Sequence, residues 1–200
     1  MDAEAWNERY AAAESVWSLT PNVFVAEQLA DLSPGTGVDL AAGEGRNALW
    51  LAGRGWHMIA VDFSSVGLHR GRAREPEADV EWVCADATTW TTTEPVDLVV
   101  VAYLQLPAEQ RRAAVRAGWA ALKPGGTFLW VAHDSTNLTE GTGGPQDPAV
   151  LMTAEDVVDD LAGEAFTTLV AERVPRQVLD GHGEDSGQTA WDCLVRLTTD

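Results

Sequence analysis

The chain has 200 residues, of which 46% are hydrophobic and 22% charged. This length and composition suit a single globular domain and exclude a largely disordered chain. Thirteen Lys and Arg against 31 Asp and Glu give a net charge of −18, which repels nucleic-acid phosphates and anionic membrane surfaces. No segment approaches the ~20 apolar residues of a membrane span, and the N-terminus lacks the pattern of a signal peptide. We therefore expect a cytoplasmic protein with neither a nucleic-acid nor a membrane partner.

The first two thirds of the chain alternate short apolar runs with helical stretches. The pattern predicts strands at residues 38–41, 57–61, 80–84, 96–102 and 127–132. It predicts helices at residues 5–13, 22–32, around 48–52, 64–74 and 107–122. Strands that alternate with helices form βαβ units, so we expect a mostly parallel sheet with helices on both faces.

The C-terminal third has a different pattern. Residues 135–148 are polar and rich in Gly, Pro and Thr, which indicates either a functional lid or a mobile connection. A short helix follows at residues 153–161, with a capping signature at Thr153 and Asp156. Two β-rich runs, 166–179 and 188–198, are joined by so short a link that they must pair antiparallel. We expect one domain, with helical cover (1–34), a ligand-binding core (35–134), a loop and helix (135–165) and the strand pair (166–200).

The cysteines and arginines favour structural roles. Cys84 and Cys193 lie far apart within apolar stretches, which is typical of buried thiols in a reducing compartment. No zinc-binding pattern is present, and no metal site is predicted. Arg111, Arg112 and Arg116 follow helical spacing and are expected on a solvated face.

A glycine turn and an acidic residue indicate a ligand site. Gly43-Glu44-Gly45 follows the first strand and opens a helix, where glycines let the backbone approach a ligand. Asp62 ends the next strand, close to the ~20-residue spacing at which an acid accepts hydrogen bonds from ribose hydroxyls. The pair predicts an adenosine-containing ligand at the carboxyl edge of the sheet. The alternative is a tight turn with a solvated Asp62.

Dinucleotides and sulfonium nucleosides both fit these two features. Three features favour the second class. Asp39 could attract an ammonium or sulfonium group, the charge of Glu44 disfavours a pyrophosphate at the helix start, and Asp86 suits an adenine amino group. A Tyr-x-x-x-Lys pair is absent at Tyr103, because Pro107 stands four residues later. An NAD-dependent oxidoreductase remains the alternative.

Three segments carry a family resemblance: Val38 to Asn47, Ala60 to Ser64 and Leu122 to Gly126. They resemble successive signatures of class I S-adenosylmethionine-dependent methyltransferases. Gly-Glu-Gly-Arg-Asn, with Trp6-Asn7-Glu8-Arg9-Tyr10 upstream, is similar to the branch that includes tellurite-resistance and thiopurine methyltransferases. The resemblance implies an α/β, Rossmann-like, doubly wound seven-stranded sheet, mostly parallel with an antiparallel C-terminal strand pair. It also implies methyl transfer from S-adenosyl-L-methionine to a small-molecule acceptor, mainly by positioning, or else a non-catalytic module that binds this cofactor.

The resemblance also implies roles for individual residues. Those placed around the methionine portion and the sulfonium are Asp39, Ala41, Gly43, Gly45 and Ala102, with Tyr103 beside them. Those placed around the ribose and adenine are Asp62, Phe63, Asp86 and Ala87. Those that close the site from the N-terminal helices are Trp6, Tyr10 and Trp17. Ala41 departs from the family pattern, which usually has a glycine there.

The choice of acceptor decides whether a general base is needed. A sulfur, selenium or tellurium nucleophile needs none, whereas an oxygen or nitrogen acceptor needs a base within reach of its proton. His133 follows the fifth strand at the carboxyl edge and is the first candidate, with a structural strand-end histidine as the alternative. Tyr103 is the second candidate and the weaker one, because a phenol titrates near pH ~10.

Overall fold

A computed structural model describes residues 3–12, 18, 20–179 and 185–200. Its helices are α1 (Ala3–Ala12), α2 (Val23–Leu29), α3 (Arg46–Ala52), α4 (Ser65–Arg74), α5 (Ala108–Ala120), α6 (Asn137–Glu140) and α7 (Ala154–Asp159). Its strands are β1 (Thr36–Leu40), β2 (His57–Asp62), β3 (Val80–Cys84), β4 (Val96–Ala102), β5 (Leu122–His133), β6 (Phe166–Leu179) and β7 (Asp185–Thr199). A short 3-10 helix covers Pro148–Val150. No helix in the described ranges is long and apolar enough to cross a bilayer.

The strands form one sheet in the order β3-β2-β1-β4-β5-β7-β6. Strands β1 to β5 are parallel, and β7 lies antiparallel between β5 and β6. The predicted doubly wound sheet and its antiparallel C-terminal pair are therefore confirmed. Chain order reverses between β1 and β4, which opens a crevice at the carboxyl ends of these strands, where such sheets bind ligands.

Side chains alternate between the two faces of the sheet and build a core on each. On one face the apolar residues of β1 and β4 pack with helices α5 and α7, which contribute Trp119 and Val157. On the other face the sheet packs with α2, α3 and α4 through Phe24, Leu51 and Leu68. Because each face buries a continuous apolar layer, the sheet is covered by helices on both sides, as predicted.

Polar caps set where the helices begin. Asn22 caps α2, its Oδ1 accepting from the backbone N–H groups of Phe24 (2.9 Å) and Val25 (3.2 Å). Asn47 in α3 holds this cap in place, because its Oδ1 accepts from the Asn22 N–H at 2.9 Å. The capping box predicted at Thr153 and Asp156 is confirmed at the start of α7. These caps fix α2 and α3 beside the carboxyl edge of the sheet.

Two expectations about individual side chains are wrong. Arg111 is buried rather than solvated, because α5 turns it toward α7, where its Nε lies 2.7 Å from Asp160 Oδ2. Cys84 is exposed rather than buried, because it ends β3, an edge strand with a sheet neighbour on one side only. Cys193 is buried as expected. Helical spacing and apolar context do not show which neighbour a residue will face.

The segment 135–148 is anchored to the β6–β7 pair. Asn137 is buried, its Oδ1 accepting from the Trp191 N–H (2.8 Å) and its Nδ2 donating to the Gly143 carbonyl (2.8 Å). Arg173 of β6 pairs with Glu140 at 2.7 Å and lies over the Trp191 ring at 4.1 Å. These contacts make the segment a wall beside the carboxyl edge of the sheet. Its opening as a lid stays a prediction.

Candidate cofactor and active site

The turn between β1 and α3 has an unusual backbone. Ala41, Gly43 and Gly45 all have positive φ, at 65°, 59° and 69°. The Ala42 N–H donates to the Val61 carbonyl at 2.9 Å, which ties the turn to β2. An alanine in the left-handed region is strained by about 1 kcal/mol, and such strain clusters where a backbone clamps a ligand. The predicted glycine turn therefore lies at the switch point of the sheet, as expected.

Asp39 lies beneath this turn as a buried and incompletely bonded carboxyl group. It is 1% exposed, and its Oδ2 accepts from the Ala48 N–H at 3.1 Å. Its Oδ1 is buried and has no hydrogen-bond partner among the described residues. Burial raises the pKa of Asp39 to about 7, although the Ala48 N–H and the nearby Arg46 act in the opposite direction. An unpaired buried carboxylate oxygen is costly, and a bound cation would offset that cost.

Asp62 joins the glycine turn to the start of α4. Its Oδ2 accepts from the Gly43 N–H and its Oδ1 from the Ser64 N–H, both at 2.8 Å. Burial raises the pKa of Asp62, and these two backbone donors oppose the rise. Each carboxylate oxygen keeps a further lone pair that can accept from a ribose hydroxyl. Asp62 is therefore a clamp of the turn as well as the predicted ribose acceptor.

Gly45 is required by packing as well as by conformation. A Cβ built at this position would lie 2.4 Å from the Trp82 ring, and its φ of 69° already disfavours side chains. We expect Gly45→Ala to destabilise the protein by about 2 kcal/mol or more, from backbone strain and overpacking together. Gly125→Ala is the control, since Gly125 has a φ of 76° and open space around its Cβ position. Equal melting temperatures of the two variants would contradict the packing role of Trp82.

Glu44 does not act as expected from the sequence. Its carboxylate is 1% exposed and lies 3.1 Å from the Arg74 guanidinium and 3.8 Å from that of Arg70. Because two arginines of α4 compensate its charge, Glu44 does not oppose an anion at the start of α3. The expectation that the charge of Glu44 disfavours a pyrophosphate is therefore wrong. Asp39 is the residue that favours a cationic cofactor instead.

Helix α1 covers the turn and the start of α4. A Cβ on Gly67 would lie 3.0 Å from the Gly43 carbonyl and 3.1 Å from Tyr10, so Tyr10 packs where these elements meet. Trp6 lies beside it, with ring centroids 5.6 Å apart. The sequence did not indicate Asn7, whose Oδ1 accepts from the Ser64 hydroxyl at 2.7 Å. Trp17, the third residue expected to close the site, lies outside the described residues.

The residues expected around adenine follow β2 and β3 at the same edge. The Ala85 N–H donates to the Asp62 carbonyl at 3.0 Å, which holds the end of β3 against β2. Asp86 is exposed, its Oδ1 accepting from the Thr88 N–H at 2.8 Å, and Ala87 beside it is buried. Phe63 is half-buried. The fold thus brings these residues to the edge that Asp62 occupies.

A second cluster lies across the crevice, at the ends of β4 and β5. Tyr103 follows Ala102 with a φ of 59°, and its hydroxyl donates to Asp192 Oδ2 at 2.8 Å. Arg176 Nε donates to the same oxygen at 2.7 Å. His133 Nδ1 lies 3.2 Å from Asp192 Oδ1, and Asp192 is fully buried. Asp192 and Arg176 were not indicated by the sequence, because the antiparallel pairing of β7 with β5 and β6 brings them here.

The electrostatics of this cluster separate its two candidate bases. Burial, and then the Asp192 carboxylate, raise the pKa of Tyr103 above its usual range. Burial alone would raise the pKa of Asp192, but contacts with His133 and Arg176 outweigh it and hold the pKa below its ordinary value. Tyr103 is therefore a hydrogen-bond donor fixed on Asp192 and is poorly suited to remove a proton. Of the two predicted candidates, His133 has the better geometry.

Arg46 lies beside the glycine turn and was not selected from the sequence. It is the first residue of α3, and burial lowers its pKa. The nearby Asp39 carboxylate opposes this lowering. The Gly-Glu-Gly-Arg-Asn segment could have indicated Arg46, because its arginine directly follows the glycine turn.

Known proteins that resemble this chain are described as methyltransferases. A protein-family model described as a methyltransferase domain matches residues 38–126. A demethylmenaquinone methyltransferase of Clavibacter sepedonicus is 37% identical over 94 residues. That match covers 46% of this chain and 38% of the relative, so the shared segment is less than half of either protein.

Solved structures resemble the whole chain. TehB from Haemophilus influenzae has a TM-score of 0.71 at 16% identity and covers 99% of this chain and 67% of its own. The N-methyltransferase NodS from Bradyrhizobium japonicum, in complex with S-adenosyl-L-homocysteine, has a TM-score of 0.68 at 22% identity and covers 98% and 97%. At these identities the likeness establishes the fold. Residues 38–126 thus match the methyltransferase domain model, and the chain has the Rossmann-like fold of these solved methyltransferases.

Proposed function

We propose that this protein acts in the cytoplasm and transfers the methyl group of S-adenosyl-L-methionine to a small-molecule acceptor. The observation that carries the proposal is Asp39, a buried carboxyl group at the switch point whose Oδ1 has no partner among the described residues. A cationic ligand fits this group, because its ammonium or sulfonium would supply the missing interaction. S-adenosyl-L-methionine brings an ammonium group whose N–H can donate to Oδ1, whereas the positive charge of NAD lies on a nicotinamide ring that has no ammonium N–H.

The other residues of the crevice fit the same cofactor. Asp62 presents a carboxylate for the ribose hydroxyls, and the positive-φ backbone of residues 41–45 permits a close approach to the methionine portion. Asp86 and Ala87 follow β3 at the same edge and are proposed to contact the adenine, and Tyr10 packs beside the turn. Because these groups come from four separate segments of the chain, the fold itself preorganises the site.

Positioning supplies most of the catalysis in this proposal. The cofactor supplies an electrophilic methyl group on a positively charged sulfur. The chain's task is to align an acceptor with that methyl group and to exclude water, and alignment alone can lower a barrier by several kcal/mol. The turn at Ala41 and the backbone at Tyr103 form one side of the crevice. On the other side, Gly144 of the anchored segment packs against the His133 ring.

The pKa of Asp39 predicts a pH-dependent affinity. With a pKa of about 7, the carboxyl is mostly protonated at pH 6 and mostly ionised at pH 8. A cationic ligand favours the ionised form, so binding below pH 7 must release a proton. We expect the affinity for S-adenosyl-L-methionine to rise about tenfold between pH 6 and pH 8. Calorimetry in buffers of different ionisation enthalpy would detect the released proton at pH 6, and an equal affinity at both pH values would contradict this role.

The test of the proposed activity is the formation of S-adenosyl-L-homocysteine. The protein is incubated with S-adenosyl-L-methionine and pools of small phenols, amines, thiols and metalloid oxyanions, and each pool is compared with an acceptor-free sample. We expect at least one pool to give acceptor-dependent product. Tight cofactor binding with no turnover on any pool would favour the alternative of a non-catalytic binding module.

A further inference from the structure

Asp192 occupies the centre of a cluster that the cofactor site does not use. It is fully buried in β7 and lies opposite His133 in the β5–β7 register and opposite Val174 in the β6–β7 register. Its Oδ2 already accepts hydrogen bonds from Tyr103 and Arg176. Its Oδ1 accepts none, although it lies 3.2 Å from His133 Nδ1. Neither of these two atoms has another partner among the described residues.

Groups from several elements surround the His133 ring. Asp192 faces the ring from β7, and Arg176 of β6 pairs with the other oxygen of that carboxylate. Tyr103 lies 4.9 Å away between ring centroids, with its hydroxyl committed to Asp192. On the chain next to His133, Asp134 Oδ1 accepts from the N–H and the hydroxyl of Thr136, and Gly144 packs on the ring with backbone atoms alone.

A carboxylate can only accept a hydrogen bond, so Nδ1 must carry the proton when it faces Asp192. Nε2 is then the nitrogen with a free lone pair, on a side chain that remains 14% exposed. Hydrogen bonds of catalytic pairs are often long or misaligned before substrate binds, which agrees with the 3.2 Å separation.

We propose that Asp192 is a positioning residue that holds His133 as the Nδ1–H tautomer, so that Nε2 accepts a proton from a hydroxyl or amine acceptor. This inference rests on the proposed methyl transfer. In the step, the oxygen or nitrogen lone pair of the acceptor forms a bond to the methyl carbon. The carbon–sulfur bond breaks and its electron pair stays on sulfur. The acceptor proton passes to Nε2, and the resulting imidazolium is stabilised by Asp192.

The first test reads the tautomer by ¹⁵N NMR of the four histidine side chains. His133→Gln assigns the signal. We expect His133 to be Nδ1–H in the wild-type protein, and Asp192→Asn to change it to the Nε2–H form, because the asparagine amide can donate to Nδ1. Asp160→Asn is the matched control, since Asp160 is also buried and paired with an arginine. An Nε2–H tautomer of His133 in the wild-type protein would overturn the proposal even if Asp192→Asn failed to fold.

The second test separates acceptor classes. On a phenol or amine that the wild-type protein methylates, we expect Asp192→Asn to lower kcat about 100-fold while the cofactor affinity changes less than threefold. On a thiol, whose thiolate needs no base, we expect the kcat of Asp192→Asn to lie within threefold of the wild-type kcat. Turnover confined to thiols or metalloid oxyanions, or an unchanged kcat on phenols and amines, would overturn the inference. Absence of cofactor binding would instead refute the proposed function, while the tautomer measurement would still stand.

Discussion

Asp39→Asn is expected to weaken the binding of S-adenosyl-L-methionine about 30-fold or more and, at the same time, to stabilise the free protein at pH 8. The weaker binding follows from the loss of a charge-assisted contact with the cationic ligand, which is typically ~2 kcal/mol. The asparagine can still accept from the Ala48 N–H, so the local hydrogen bond survives. The variant should also lose the pH dependence of binding, because the titrating group is gone.

The stability effect follows from the raised pKa. A carboxyl whose pKa is about 7 in the folded protein, against 3.8 as its ordinary value, binds its proton more tightly when folded. Stability therefore falls as pH rises from about 4 to about 7, and the full cost is present at pH 8. A neutral asparagine avoids this cost, so we expect Asp39→Asn to gain roughly 2–4 kcal/mol at pH 8 and little at pH 4.

Denaturant unfolding at pH 4 and pH 8, with calorimetry for the cofactor, checks both effects. Asp97→Asn is the control, because Asp97 is in β4 but lies near the opposite edge of the sheet, where it accepts from the Thr36 N–H. The control should leave cofactor affinity unchanged. An Asp39→Asn variant that binds the cofactor as tightly as the wild-type protein would contradict the role of Asp39.

Asp62→Ala is expected to reduce both stability and cofactor affinity. The substitution leaves the buried N–H groups of Gly43 and Ser64 without their acceptors, at a cost of about 1–3 kcal/mol each. It also removes the carboxylate proposed to accept from the ribose hydroxyls. We expect a loss of about 2–5 kcal/mol in the free energy of unfolding and at least a tenfold weaker affinity for the cofactor.

Asp86→Ala is the matched comparison for this variant. Asp86 is exposed, and among the described residues its carboxylate bonds to Thr88 alone, two residues later. The variant should therefore weaken cofactor binding while it changes stability by less than about 1 kcal/mol. If Asp62→Ala proved as stable as Asp86→Ala in urea unfolding, the clamp between the glycine turn and α4 would be refuted.

The sequence predicted the sheet well because its signals are local. Apolar runs located β3 and β4 at their observed bounds, and Asn22 and Thr153 marked the starts of α2 and α7. The meeting of the glycine turn and the strand-end acids was also predictable, because the carboxyl ends of parallel strands lie at one edge of the sheet.

The other half could not be predicted, because it depends on pairing between distant segments. Asp192 reaches His133 only through the antiparallel register of β7 with β5, which sequence periodicity does not specify. The compensation of Glu44 by arginines of α4, and the structural role of Asp62, likewise arise from contacts between separate elements. Contacts of this kind join residues that are far apart in the sequence, so no spacing pattern indicates them.

Parallel calorimetric titrations would show whether the crevice binds S-adenosyl-L-methionine. Purified protein is titrated at pH 8 with S-adenosyl-L-methionine, S-adenosyl-L-homocysteine and NAD. The structure predicts micromolar binding of the first two ligands and none of the third. Binding of NAD alone would contradict the account and would assign the glycine turn and Asp62 to a dehydrogenase.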